Sequence, residues 1–203
     1  PTFEARRNFQ HVTKWAAQIH KVEDIPRLMR HAVTQMKSGR PGPVMLEMPG
    51  DVMKTEYAGD EVEYTPVRRR ESLASPEDVR ELIEALLKSS SPIIVAGQGV
   101  LYSQASTELV EFSELAQLPV MTTLAGKSAF PENHPLALGT GGLTAPLTVR
   151  RFLESTDFGL GIGTSFTRNT FTTPMPDGLS LGQVTNCSED IGKDYEVTAG
   201  AVG

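Results

Sequence analysis

Residues 91–102, S-P-I-I-V-A-G-Q-G-V-L-Y, constrain the fold of this chain more than any other stretch. Ile93, Ile94, Val95 and Ala96 form a short apolar run between Pro92 and Gly97, the pattern of a strand buried on both faces of a parallel sheet. Gly97 and Gly99 end the run with a turn tight enough to leave room for a ligand, and a helix starting beyond them would aim free N–H groups into that space. Two readings stand side by side, a nucleotide site and a plain strand-to-helix turn. A full G-x-G-x-x-G needs glycine where Tyr102 stands, and the acidic ribose-binding residue about twenty positions on is replaced by Met121, Thr122 and Thr123.

Around this stretch, strands and helices alternate. Ser75 and Pro76 open a helix whose stripe is Val79, Leu82, Ile83, Leu86 and Leu87. A second helix is expected over about 104–116, burying Ala105, Leu109, Phe112 and Leu115 or Ala116, followed by a strand at 120–123. Residues 124–145, with Pro131, Pro135 and Gly139-Thr140-Gly141-Gly142, read as irregular. A third helix starts near Pro146 and buries Leu147, Phe152 and Leu153; strands follow at 158–162, 183–186 and near 197–202. Such alternation predicts an α/β, Rossmann-like parallel sheet with helices on both faces. Gly97-Gln98-Gly99, Gly141-Gly142 and Gly163-Thr164-Ser165 all fall at predicted strand ends, the edge where such sheets bind ligands.

Upstream lies a partial α/β segment that reads as if cut from something larger. Asp24 and Pro26 open a helix with Ile25, Leu28, Met29, Ala32, Val33 and Met36 on one face, and Val44 to Met48 reads as a strand whose partners are not evident. Residues 51–73 lack periodicity and suggest an extended linker. The expected organisation is therefore a remnant at 1–50, a linker at 51–73 and a domain at 74–203.

Composition narrows the function classes. Across 203 residues the net charge is -6, which argues against nucleic acid as a partner, and Arg68-Arg69-Arg70 reads as a solvated part of the linker. No apolar run reaches the roughly 20 residues of a membrane span. Cys187 is the sole cysteine, so an intrachain disulfide and a cysteine metal cluster are excluded, and a cytoplasmic setting is expected. His11, His20, His31 and His134 show no metal-ligand spacing.

Several motifs together resemble a known family. Gly39-Arg40-Pro41-Gly42-Pro43-Val44, with Glu47-Met48-Pro49 and Asp51, is similar to the end of the pyrimidine-binding domain of thiamine-diphosphate enzymes of the acetolactate synthase type. Pro92 to Gly99 resembles the first strand and turn of that family's central domain, Phe130-Pro131-Glu132-Asn133-His134-Pro135 with Gly139 its F-P-x-x-H-P-x-x-x-G segment, and Asp190-Ile191-Gly192-Lys193 its D-I-G-K. Phe9-Gln10 resembles an F-Q pair near the cofactor's reactive end.

The resemblance implies a transferase or lyase that uses thiamine diphosphate and Mg2+ on 2-oxo acids. It also implies that the reactive groups lie elsewhere. The activating glutamate would precede Pro1, and the G-D-G motif that holds Mg2+ has no match, since Asp177-Gly178 lacks the pattern that follows it. The chain alone is expected to be inactive, with the flanking domains as its partners in a homo-oligomer. By the same resemblance, Gly97, Gln98, Gly99, Gly141, Gly142, Gly163, Thr164 and Ser165 line a crevice that holds FAD in the synthases and ADP or nothing in relatives. FAD is disfavoured here: Thr185-Asn186-Cys187-Ser188 replaces the acids of flavin-binding members, and Ser165-Phe166-Thr167-Arg168 replaces an R-F-D-D-like run. The competing reading is a stand-alone nucleotide-binding or subunit-interaction module, with an NAD dehydrogenase third.

Overall fold

The computed structural model describes residues 3–62, 64–68 and 70–203. Arg69, in the middle of the arginine cluster, lies outside the described residues. The chain forms two compact units, Pro1–Glu71 and Ser72–Gly203.

The first unit is a β–α–β arrangement. It contains α1 (Ala5–Phe9), β1 (Trp15–Gln18), a 3-10 turn (Val22–Asp24), α2 (Ile25–Lys37), β2 (Val44–Glu47) and α3 (Gly50–Lys54). Strands β1 and β2 pair in parallel, Trp15 opposite Val44 and Gln18 opposite Glu47. β1 is the upstream partner that periodicity does not reveal, because all four of its residues are only half buried. Leu28 and Ala32 of α2 are buried whereas Met29 and Met36 stay exposed, so the expected apolar stripe is only partly covered in this unit. Asp24 makes no side-chain cap; its carboxylate instead accepts from Arg27 at 2.8 Å. Ser38 leaves the helix in an extended conformation and Gly39 follows at φ +52°, the left-handed geometry that favours glycine. The segment expected to be an extended linker from Asp51 begins instead as α3, where Val52 is buried against Ile19 and Leu28.

The second unit carries α4 (Pro76–Leu87), β3 (Pro92–Ala96), α5 (Gln98–Ser103), α6 (Ser106–Ala116), β4 (Val120–Thr122), β5 (Ala137–Thr140), α7 (Leu147–Ser155), β6 (Phe158–Ile162), β7 (Ser180–Thr185), a second 3-10 turn (Ser188–Asp190) and β8 (Ala199–Val202). The six strands are parallel in the order β5-β4-β3-β6-β7-β8. This is the doubly wound order: the chain builds outward from β3 to β5, then returns to lay β6 on the other side of β3.

Alternation along β3 divides the core. Ile94 and Ala96 pack with Leu82, Leu86, Val100 and Leu109 on the α4–α6 face. Ile93 and Val95 pack with Val149, Leu153 and Phe166 on the α7 face. Each face follows from the period of two in a strand, and helices cover both. Ser75 Oγ accepts the N–H of Glu77 at 3.2 Å and caps α4 as its sequence demands.

Three expectations are corrected. The helix expected over about 104–116 is α6, set off from α5 where Gln104 takes φ +57°, but its buried residues are Leu109 and Ser113, with Leu115 exposed. Helix α7 buries Val149 and Leu153, while Leu147 and Phe152 face outward. The stretch read as irregular contains β5, whose pairing with β4 is interrupted by a register shift at Val120/Met121. Among the described residues no helix is long and apolar enough to cross a membrane.

Candidate functional site

In a doubly wound sheet the crevice opens at the carboxyl ends of the strands where the order reverses, here between β3 and β6. The glycines at that point carry main-chain packing. Gly97 donates its N–H to the Ile162 carbonyl and Gly99 to the Gly163 carbonyl, both at 2.8 Å. A Cβ on Gly97 would overlap the Gly163 carbonyl, one on Gly99 would lie 2.6 Å from Gly163 Cα, and one on Gly126 would lie 2.5 Å from the Ala96 oxygen. Three turns are thus stacked backbone on backbone, and Gly97, Gln98, Gly99 and Gly163 line neither of the two cavities described below.

The first cavity, of about 330 Å³, lies on the α7 face of the sheet, next to that stack. Val95, Met121, Met175 and the rings of Phe166, Phe171 and Tyr195 give it apolar walls; Thr123, Thr164, Ser165, Thr167 and Thr173 supply hydroxyls. Gly141 and Gly142 form part of its edge. Of the residues expected at the crevice, Gly141, Gly142, Thr164 and Ser165 therefore come together here. No charged side chain is among the lining residues. A wider depression of about 620 Å³ adjoins it and shares Leu124, Gly141, Gly142 and Phe171.

The loop from β6 to β7 supplies much of the cavity wall and is tied down at several points. Thr173 Oγ1 accepts the Gly142 N–H at 2.6 Å. Tyr195 Oη accepts the Met175 N–H at 3.3 Å, and Asp194 accepts the Arg168 N–H at 2.8 Å. The Arg168 guanidinium sits 5.8 Å from the centre of the Tyr195 ring, within cation–π range. Lys193 Nζ donates to Thr167 Oγ1 at 3.2 Å, and Thr167 Oγ1 lies 2.8 Å from Ser165 Oγ. Two cations therefore stand beside an uncharged, hydroxyl-lined cavity. Phe166 holds φ +46°, unusual for a bulky residue, and is buried edge-on against Tyr195.

Beneath this loop, Gln183 of β7 is wholly buried. Its amide donates to the Thr164 carbonyl at 3.0 Å and to the Asp190 carbonyl at 3.1 Å. Two carbonyl partners fix which end of the amide is nitrogen. Oε1 finds no donor among the described residues, and an unmet buried acceptor costs about 1–3 kcal/mol. The cavity's aromatic walls were not legible in sequence, since they sit in loops without periodicity. Gln183 did leave a signal, a lone amide inside the strand run Leu181-Gly182-Gln183-Val184.

The remaining motifs take structural places. His134 Nδ1 accepts the Leu136 N–H at 3.2 Å, Nε2 lies 3.1 Å from Glu114 Oε1, and the ring meets Phe130 edge-on. In the first unit, Phe9 ends α1 and is exposed, and Gln10 Nε2 lies 3.2 Å from His11 Nε2. Among the described residues no group of three or more His, Cys, Asp or Glu side chains could hold a metal ion.

Comparison with known proteins places this architecture. Residues 79–203 match the model of the thiamine pyrophosphate enzyme central domain. The chain is 35% identical over 166 residues to a probable acetolactate synthase large subunit of Methanocaldococcus jannaschii, covering 78% of this chain and 28% of that protein. It is 36% identical over 156 residues to glyoxylate carboligase of Escherichia coli O157:H7, covering 76% of this chain and 26% of that protein. It thus spans little more than a quarter of these relatives. The solved structure of benzoylformate decarboxylase from Polynucleobacter necessarius shares the fold, with a TM-score of 0.77 at 24% identity, covering 97% of this chain and 38% of that one. A doubly wound six-stranded unit with this match across nearly its whole length identifies the chain: it belongs to the thiamine pyrophosphate enzyme central-domain family.

Proposed function

We propose that this chain is the central, scaffolding portion of a thiamine-diphosphate-dependent transferase or lyase that acts on 2-oxo acids, of the acetolactate synthase type. The family match over residues 79–203 carries the reading. Thiamine diphosphate supplies the means of stabilising the carbanion left by a decarboxylating 2-oxo acid. The residues of this chain do not fit a site for its Mg2+, given the lack of a ligand cluster among the described residues. Metal and diphosphate are therefore assigned to flanking domains, the protein to a cytoplasmic homo-oligomer, and Phe9-Gln10 to the neighbourhood of the cofactor. An assay of the full-length protein with pyruvate tests this. Carbon dioxide release that depends on thiamine diphosphate and Mg2+, and is absent from the 203-residue chain alone, is the expected result; turnover by the chain alone overturns it.

Within this portion, the cavity on the α7 face is read as an adenine nucleotide site. Its supporting observation is a cavity of about 330 Å³ at the carboxyl ends of the strands, with aromatic and hydroxyl walls, a size and lining suited to a small ligand. A planar base fits the uncharged interior, and the phosphates belong at the rim beside Arg168 and Lys193. FAD is the second reading, favoured only by the adjoining depression, which would extend the site for a longer ligand. Calorimetric titration with ADP, FAD and NAD separates these. ADP binding is expected, and tight NAD binding with none for ADP contradicts the reading.

A further inference from the structure

Gln183 sits where two loops after neighbouring strands must be held together. Its partners across the sheet are Gly161 on β6 and Gly200 on β8. The lack of side chains there admits two others: a Cβ on Gly161 would overlap the Phe166 ring, and one on Gly200 would lie 3.0 Å from Ile191 Cδ1. Gln183 is thereby flanked by the ring that walls the cavity and by the isoleucine of D-I-G-K. Its two amide hydrogens reach one carbonyl in each loop, Thr164 and Asp190.

The D-I-G-K segment in turn closes on the cavity wall. Lys193 reaches Thr167, Asp194 holds the Arg168 N–H, and Tyr195 packs on Phe166. These three ties run between residues 166–168 and 193–195. An apolar side chain at position 183 would remove the unmet Oε1 but would take its donors from the Thr164 and Asp190 carbonyls, so the amide serves the two loops rather than packing alone.

We infer that Gln183 is a positioning residue: its amide clamps the β6 and β7 loops together, and so holds Thr164, Ser165 and Phe166 where they face the ligand of the α7-face cavity. The inference rests on the reading of that cavity as a ligand site. It also gives D-I-G-K a role, as the outer half of the clamp.

The test replaces Gln183 by methionine, which keeps the length of the side chain and removes both donors. Gln183→Met should still fold cooperatively, its melting temperature lowered by about 2–8 °C as the two carbonyls lose their donors. Amide hydrogen exchange at Phe166 and Ile191, whose N–H groups bond Thr164 Oγ1 and the Ser188 carbonyl, should accelerate about ten-fold or more, and the Kd for ADP should rise about ten-fold. Faster exchange confined to these two loops, with the other amides of the sheet unchanged, separates positioning from general destabilisation. Unchanged exchange at those two amides overturns the inference. A wild-type chain that binds no ADP removes the nucleotide reading alone, and the exchange comparison still decides on Gln183. Should the variant fail to fold, the wild-type Gln183 side-chain amide protons serve instead. Protection from solvent and a shift in their NMR signals on ADP addition support the clamp, while exchange as fast as that of an exposed glutamine contradicts it.

Discussion

Gly99 donates its N–H to the carbonyl of Gly163 at 2.8 Å, and a side chain on either residue would run into the backbone of the other. The first turn of this sheet is therefore closed against the fourth strand's turn, and the α7-face cavity lies beside it. Gly163 also holds φ +64°. Gly99→Ala and Gly163→Ala should each cost about 3 kcal/mol, because rigid main chain on both sides cannot yield. Urea unfolding measures the loss, and a cost under about 1 kcal/mol for both would show the turns to be looser than described.

Asp157 ties the start of β6 to the start of β3. Its carboxylate accepts the N–H groups of Ser90 at 2.7 Å and Ser91 at 2.8 Å. These two bonds, that of Ser90 foremost, hold its pKa below the ordinary value of 3.8. The folded state thus binds this proton more weakly than the unfolded chain does. Its contribution is complete above the unfolded value and is lost as pH falls through the lower folded value. Asp157→Asn should melt below wild type at pH 7, with the gap narrowing only below about pH 4. Thermal melts across this range check it, and an equal gap at pH 3 and pH 7 would contradict it.

The histidine of the F-P-x-x-H-P segment has its tautomer set by its surroundings. Nδ1 accepts the Leu136 N–H, so in the neutral ring the proton sits on Nε2 and points to Glu114. Nitrogen-15 NMR of neutral His134 should show the Nε2–H form. His134→Ala should lose about 1–2 kcal/mol by urea unfolding, since a backbone donor is left unmet.

Legibility in the sequence followed burial. β3 was readable because a short, β-branched apolar run bounded by Pro92 and Gly97 fits a strand covered on both faces, and Ser75-Pro76 marked the start of α4. β5 was hidden because Ala137-Leu138-Gly139-Thr140 carries a glycine at φ +108° beside a register shift. β1 was hidden because its residues are half buried and alternate in neither pattern. Of the glycine turns, Gly141-Gly142 reaches the edge of the cavity whereas Gly97-Gln98-Gly99 does not. The cavity walls depend on Phe166 meeting Tyr195, residues far apart in sequence and joined by loop contacts that no local pattern encodes.

We propose that a nucleotide binds in the α7-face cavity rather than on the glycine turn. A crystal soaked with ADP tests it most directly. The predicted result is difference density for the base among Phe166, Tyr195 and Thr123, with phosphate near Arg168 or Lys193. Density for phosphate on the N–H groups of Gly97, Gln98 and Gly99, or none in the cavity at saturating ADP, would contradict it.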